Sequence, residues 1–421
     1  MSDNVPQLDC LPTVHREIEL GLLRDQVTKF LTQDAYSFDV KNVPGVDRYD
    51  GAQIASNDPC EDRLTHGKFS SPWDENNSWM AWGVFDGHSG SQTAELLEKQ
   101  LLPFVRQSLS RIGLPSDGRP LPIGPVQRAI MKGFTELDNS IIESAANTAD
   151  SDASLSLKIK KLLPAYSGSC ALLSIFDPIT STLHVACTGN SRAVLGQKSS
   201  GGNWKTIPLS EDQTGYNQDE IAQPKSGHPG ERNIVQNGRV LEMAVSRAFG
   251  DCQWKWPIDF QRDMERRFHG PPPLTPRFEI RTPPYLTAEP VVTSTKIDAN
   301  RSSFLIMATD GLWDLLSSHQ GVELVGKWLE TPPEARKCSL QTETAYEPFD
   351  FEQSTGLRFK KRRTTTQDDN AAVHLLRNAL GGNHHDLIAG RLAFTFPFSR
   401  RVRDDTTVQV VFFNGTDQQE Q

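Results

Sequence analysis

Cysteine is sparse and lacks pattern: six residues in 421, at positions 10, 60, 170, 187, 252 and 338, with no Cys-x-x-Cys among them. Neither a zinc knuckle nor a disulfide scaffold is indicated, and a reducing compartment is the expectation. Long apolar runs are missing too. The longest, such as Leu172 to Phe176 and Val408 to Phe413, fall far short of the roughly 20 residues that cross hydrocarbon, so no segment is expected to span a membrane. Basic excess is absent: 44 Lys and Arg stand against 53 Asp and Glu, a formal charge of −9. A general nucleic-acid binder needs a net basic surface, so that class is set aside, whereas acid excess suits divalent metal. The first 30 residues carry Asp3, Asp9, Glu17, Glu19 and Asp25 and show neither an apolar secretory core nor an Arg-rich, acid-poor face. No repeat of 20 to 50 residues is evident.

What is present suits a globular chain. Hydrophobic residues make up 37% and charged residues 23%, which excludes wholesale disorder and a fibrous repeat. The length allows about three domains or one large domain with insertions. Ile18, Leu22, Val27, Phe30 and Leu31 recur near helical spacing and predict an N-terminal helical extension over 1–30, docked on the core. Tyr36 to Val40 alternates like a strand. Trp79 to Phe85 predicts a strand that stops at Asp86-Gly87-His88-Ser89-Gly90, with a helix from Thr93 to Phe104. Gly168 to Phe176, Thr182 to Cys187 and Gly189 to Gly196 read as three strands in hairpin sequence, hence antiparallel. Residues 210–290, rich in Pro, Gly and charge, predict a flap and insertion, and 331–367 a surface insertion. Lys360 to Arg363 within the latter is either a solvated run or a patch for an acidic partner. Ser303 to Thr309 predicts a buried strand ending at Asp310-Gly311, followed by a helix from Leu312 to Trp328. Ala371 to Leu380 predicts another helix, and Arg403-Asp404-Asp405-Thr406-Thr407 leads into a final strand.

Acidic residues recur at these strand ends: Glu61-Asp62, Asp86, Asp310 with Asp314, and Asp404-Asp405. A lone Asp-Gly pair is usually a turn. A carboxylate that follows a continuous apolar strand, however, must reach the sheet edge or be neutralised, because burying an unpaired charge costs several kcal/mol. Several converging carboxylates repel unless a cation lies between them. Oxygen ligands without Cys or clustered His select hard Mg²⁺ or Mn²⁺ over Zn²⁺.

The ordered set Cys60-Glu61-Asp62-Arg63, Val84-Phe85-Asp86-Gly87-His88-Ser89-Gly90, Ser167-Gly168-Ser169, Thr188-Gly189-Asn190-Ser191-Arg192-Ala193, Ala244 to Asp251, Ala308 to Asp314 and Arg403 to Thr407 strongly resembles the metal-dependent, PPM-type (type 2C) protein serine/threonine phosphatases. Finer texture resembles one branch, the pyruvate dehydrogenase phosphatase catalytic subunits: Tyr36-Ser37-Phe38, Ser56-Asn57, Trp254-Lys255-Trp256, Thr282 to Pro290 and Asp369-Asn370-Ala371-Ala372. The resemblance implies an α+β fold, a four-layer α-β-β-α sandwich of two antiparallel sheets flanked by helices, with a flap subdomain, over a catalytic domain at 31–415. It implies two Mg²⁺ or Mn²⁺ ions held by Glu61, Asp86, the Gly87 carbonyl, Asp310 and Asp404, with Asp314 nearby. A water shared by two such cations attacks a phosphate ester, and no phosphoenzyme is needed. His88, as general acid, protonates the leaving alkoxide, a role typically contributing about 10²- to 10⁴-fold. The implied substrate is a phosphorylated protein, in the favoured branch the pyruvate dehydrogenase E1 α-subunit, with a regulatory subunit also implied.

Two positions depart from the family pattern. Asn57, in the substrate-phosphate region, stands where many members carry an Arg that grips the phosphate, so phosphate must rely on metal and other donors. Asn190 stands where the pattern has Asp, and the missing charge weakens a third metal. This second departure motivates the alternative of a pseudophosphatase that binds phosphoprotein without turnover; a third option, a hydrolase of small phosphate esters, needs an enclosed pocket. The resemblance implies the mitochondrial matrix, and the N-terminus as given implies cytosol or nucleus. Asp251 is a candidate for supporting the site, while Cys60 and Cys170 read as small packers. Trp254 and Trp256 read as core or as a docking wall.

Overall fold

A computed structural model describes residues 24–74, 76–113, 121–231, 233–338 and 358–413. The apolar runs form two antiparallel sheets. One has six strands in the order Tyr36–Asp39, Arg48–Ile54, Thr406–Phe413, Ser303–Ala308, Arg192–Lys198 and Trp204–Pro208. The other has five, in the order Val291–Lys296, Thr182–Thr188, Ala171–Asp177, Ser78–Phe85 and Arg63–Ser70.

Successive side chains of a strand point to opposite faces, so a continuous apolar strand must be covered on both. Trp82, Val84, Leu172 and Val185 from the five-stranded sheet meet Leu195, Leu305, Met307 and Val411 from the six-stranded sheet between the layers. Their neighbours point outward. Phe85, Leu173 and Ile175 pack against the helices Gln92–Ser110, Ile123–Asp150 and Leu155–Tyr166. Phe304, Ile306, Val408 and Val410 pack against Ser318–Glu330, Ala371–Leu380 and the helix Arg24–Leu31, whose Val27 and Leu31 are fully buried. The fold is the four-layer α-β-β-α sandwich. Ile18 and Leu22 of the expected N-terminal helix lie outside the described residues.

Three local expectations differ from the structure. Thr182–Thr188 pairs with Ala171–Asp177, but the third strand of the expected meander, Arg192–Lys198, crosses to the other sheet and pairs with Ser303–Ala308. Its Leu195 faces the inter-sheet core and its Val194 the outer helices, so its pattern is compatible with either sheet. The turn between them takes Gly189 at φ +105°, where a side chain would run into Cys170. The helix expected over 312–328 is interrupted: a turn at Asp310–Trp313 ends, and Ser318–Glu330 starts afresh from a capping box between Ser317 and Gln320. Residues 210–290 divide. Ile234, Val240, Leu241, Tyr285 and Leu286 form a small core of their own, whereas Phe249, Cys252, Trp256 and Met264 join the main helix-covered core. Trp256 is therefore a packing residue, and the Trp254 indole donates to the Leu241 carbonyl. In the basic run, Lys361 pairs with Glu323 and Arg363 is buried.

Two histidines are buried away from the cleft. His184 contacts the Ser294 hydroxyl and His374 the Leu324 carbonyl. Burial lowers both pKa values to about 4. A depressed folded-state pKa means the unfolded chain takes up protons first, so stability present above about pH 6.5 is lost as pH falls towards 4, at up to about 1.4 kcal/mol per pH unit for each group. Denaturant unfolding of His374→Gln should therefore show a larger stability deficit against wild type at pH 7.5 than at pH 5; a pH-independent deficit contradicts the assignment.

Candidate active site

Strand polarity brings the acidic positions to one end of the sandwich. Arg48–Ile54 ends where Thr406–Phe413 begins, and Ser303–Ala308 ends beside that start, since Thr406 lies opposite Ile54 and Val408 opposite Ala308. In the facing sheet, Phe85 ends its strand opposite Arg63. Asn57, Glu61, Asp86, Asn190 and Asp404 occupy the connections at this end, and Asp310 opens the helical turn Asp310–Trp313 that follows its strand.

Asp86 follows seven buried residues of its strand. Its Oδ2 is buried with no hydrogen-bond partner. Burial first, then the charges of Asp310 and Asp62, raise its pKa well above the usual carboxylate range. Asp62 is fully enclosed, accepts hydrogen bonds from the Thr309 and Thr407 hydroxyls at 2.9 and 2.8 Å, and is pushed up to about 8 by burial and by Asp405. The Gly87 backbone sits so close to the Glu61 carbonyl that a side chain there would collide with it.

Glu61 is fixed by its neighbours: Oε1 accepts from the Gly90 amide at 2.6 Å and Oε2 from Asn57 Nδ2 at 3.2 Å. Asn57 also donates to Asp405 at 2.9 Å, so its amide cross-links two carboxylates. Asp405 organises this loop, accepting from the Ser56, Asn57 and Glu61 amides at 2.5, 2.8 and 2.8 Å. Asp404 accepts from the Asp405 amide at 2.7 Å and pairs with Arg400. Asp314 lies one turn after Asp310, its pKa raised by burial, then by Asp310 and Asp212.

His88 is placed by a small three-stranded ladder. It pairs opposite Gly168, which in turn pairs with Gly250. The ladder sets His88 Nε2 2.8 Å from Asp251 Oδ2, with Gly168 between them: a Cβ there would strike both side chains. Asp251 itself adopts a left-handed φ of +51°, and its segment is anchored by the buried pair Lys255 to Asp138, whose carboxylate also accepts the Gly250 amide at 2.9 Å. Burial, the largest influence, disfavours the imidazolium, but the Asp251 carboxylate together with the charges of Glu61 and Asp310 outweighs it and the net shift is upward. A protonated His88 at the cleft is what a proton donor requires.

Among the described residues, no three Asp, Glu, His or Cys side chains close into a ready-made cage for a metal ion. The carboxylates meet as neighbours. The donor set nonetheless fits a hard divalent cation: an orphaned buried oxygen on Asp86, like-charged neighbours, and no soft ligand engaged. Cys170 is buried with its thiol pKa raised by burial, and burial likewise raises that of Cys60, so neither is an activated nucleophile.

The profile of the protein phosphatase 2C family matches residues 48–345. The chain belongs to the protein phosphatase 2C family. A protein phosphatase 2C homologue of Schizosaccharomyces pombe is 40% identical over 395 residues, covering 93% of this chain and 85% of the relative. Pyruvate dehydrogenase phosphatase 1, mitochondrial, of Saccharomyces cerevisiae is 35% identical over 407 residues, covering 88% and 69%. The human protein of that name is 30% identical over 462 residues, covering 93% and 83%. The solved serine-threonine phosphatase 2C of Toxoplasma gondii aligns over 90% of this chain and 99% of its own, with a TM-score of 0.51 at 18% identity, which bears on fold alone. This phosphatase 2C member is a protein serine/threonine phosphatase of a family generally dependent on Mg²⁺ or Mn²⁺. No helix among its described residues is long and apolar enough to cross a membrane.

In this phosphatase Asn190 Nδ2 donates to Asp310 Oδ2 at 2.8 Å, and Cys170 Sγ lies 3.3 Å from its oxygen. A neutral donor thus occupies the position from which an Asp would add charge. Asn190→Asp exchanges this hydrogen bond for repulsion, so the metal-free protein should melt lower and gain more in melting temperature on adding Mn²⁺ than wild type; equal gains contradict the role of Asn190 in weakening cation binding.

Proposed function

We propose that this phosphatase hydrolyses phosphoserine and phosphothreonine in proteins with two Mg²⁺ or Mn²⁺ ions held by Glu61, Asp86, the Gly87 carbonyl, Asp310 and Asp404. Asp314 lies where a third ion would bind, weakened by Asn190. The orphaned Asp86 oxygen among acidic neighbours carries this reading. When bound, the ions supply an activated water and positive charge against the phosphoryl group. The chain's own residues do the rest. Asn57 and the Gly90 amide hold Glu61 in place, and Asp405 holds the loop that carries both. Asp251 holds Nε2, orients His88 and favours its protonated form, from which Nδ1 delivers a proton to the departing Ser or Thr oxygen.

The substrate we infer is the phosphorylated pyruvate dehydrogenase E1 α-subunit in the mitochondrial matrix, supported by relatives named pyruvate dehydrogenase phosphatase, mitochondrial, that cover most of the chain. Phosphate release from phosphorylated E1 and from an unrelated phosphoprotein, with and without Mn²⁺, tests both levels. Metal-dependent turnover with preference for E1 is expected. Turnover without metal ends the metal reading, and equal rates on both proteins end the substrate assignment.

A further inference from the structure

Both donors of the Asn57 amide are directed at carboxylates, which leaves open what side chain grips the incoming phosphate. The cations nearest the cleft are committed to the scaffold. Arg63 donates to the Cys60 and Asp62 carbonyls and to Glu95. Arg192 is forked on Asp212, and Arg403 donates to the Ala55, Arg391 and Phe394 carbonyls.

Arg400 differs. It lies on the single turn Phe398–Arg401, and that turn is stitched to the loop bearing Asn57. Fully buried Ser399 donates to the Ser56 carbonyl at 2.5 Å, and Ser56 Oγ donates back to the Arg403 carbonyl at 2.9 Å. The anchoring residue is fully buried, while the side chain next to it stays 43% exposed beside Asp404. Its Nη1 meets Asp404, its partner among the described residues. A guanidinium has five donors in a planar fork matched to phosphate oxygens, and one contact with Asp404 leaves most of them for a second acceptor.

We propose that Arg400 is the phosphate-gripping side chain of this phosphatase, reaching over the rim from the strand-leading turn 398–401 to the position that Asn57 cannot serve. The proposal rests on the phosphatase reading of the same cleft. Arg400 binds the non-reacting oxygens of the phosphoryl group while Asp404 holds the fork in line with the cleft. A purely structural Arg400, serving only to pin Asp404, would alter cation affinity and leave phosphate affinity unchanged.

The test uses the full chain, wild type against Arg400→Ala and Arg400→Lys, with two readouts. Calorimetric titration of inorganic phosphate in excess Mg²⁺ should show affinity falling about tenfold or more for Arg400→Ala and by less for Arg400→Lys, which keeps the charge but loses the fork. Steady-state hydrolysis of a phosphoserine peptide should show KM rising in the same order, with kcat changed less than KM. Both substitutions are at an exposed position, and unchanged circular dichroism checks folding. Phosphate affinity and KM within twofold of wild type in Arg400→Ala overturn the proposal while the phosphatase reading stands. A wild-type protein that neither binds phosphate nor turns over the peptide overturns both.

Discussion

Asp86→Asn should lower metal-dependent hydrolysis of a phosphoserine peptide by about 10³-fold or more, equivalent to roughly 4 kcal/mol of barrier. The same substitution should raise the melting temperature of the protein in EDTA. Both follow from one feature and the proposal built on it: a carboxylate oxygen buried without a partner beside Asp310 and Asp62, whose repulsion a bound cation would relieve. An amide removes the charge, relieving the metal-free protein and disabling the loaded one. The rise in melting temperature on adding Mn²⁺ should shrink correspondingly. If activity falls and the metal-free protein is destabilised instead, Asp86 is a structural residue, and calorimetry in EDTA distinguishes the two.

The second large effect concerns proton delivery. His88→Ala should reduce kcat on a phosphoserine peptide by about 10²- to 10⁴-fold, the usual range for general acid catalysis. Hydrolysis of p-nitrophenyl phosphate, whose leaving phenolate needs no proton, should fall far less. Asp251→Asn should move both rates in the same direction by a smaller factor, because it removes the carboxylate 2.8 Å from Nε2 and leaves the imidazole itself in place. Equal losses on the two substrates contradict proton donation and point to misplacement of the cleft residues.

The four-layer arrangement was legible through the family resemblance, and it agrees with the strands themselves: Ser303–Ala308 and Ala171–Asp177, mostly apolar in sequence, are buried at every position and need cover on both faces. Asp86 and Asp310 were legible for a related reason, as charges that terminate apolar strands. The pattern was silent where it is degenerate. Arg192–Lys198 suits either sheet, and only its pairing with Ser303–Ala308 decides. Asp404 was singled out by the resemblance, and the role of Asp405 went unread: its carboxylate receives three backbone amides, while Asp404 pairs with Arg400 and stays partly exposed. The pairing of His88 with Asp251, 163 residues apart, depends on a ladder only two residues deep, which no periodicity can reveal. Gly168, small enough to let the two meet, was the available signal. Arg400 lay outside every motif and became visible only through the burial of Ser399 beside it.

Crystals soaked in Mn²⁺ and measured for anomalous scattering test the central claim most directly. Two manganese peaks are expected within coordinating distance of Asp86, with Asp310 and Asp404 also among the ligands and the Gly87 carbonyl facing one ion. Well-ordered crystals with no manganese at Asp86, or with manganese bound only elsewhere on the acidic surface, would contradict the account.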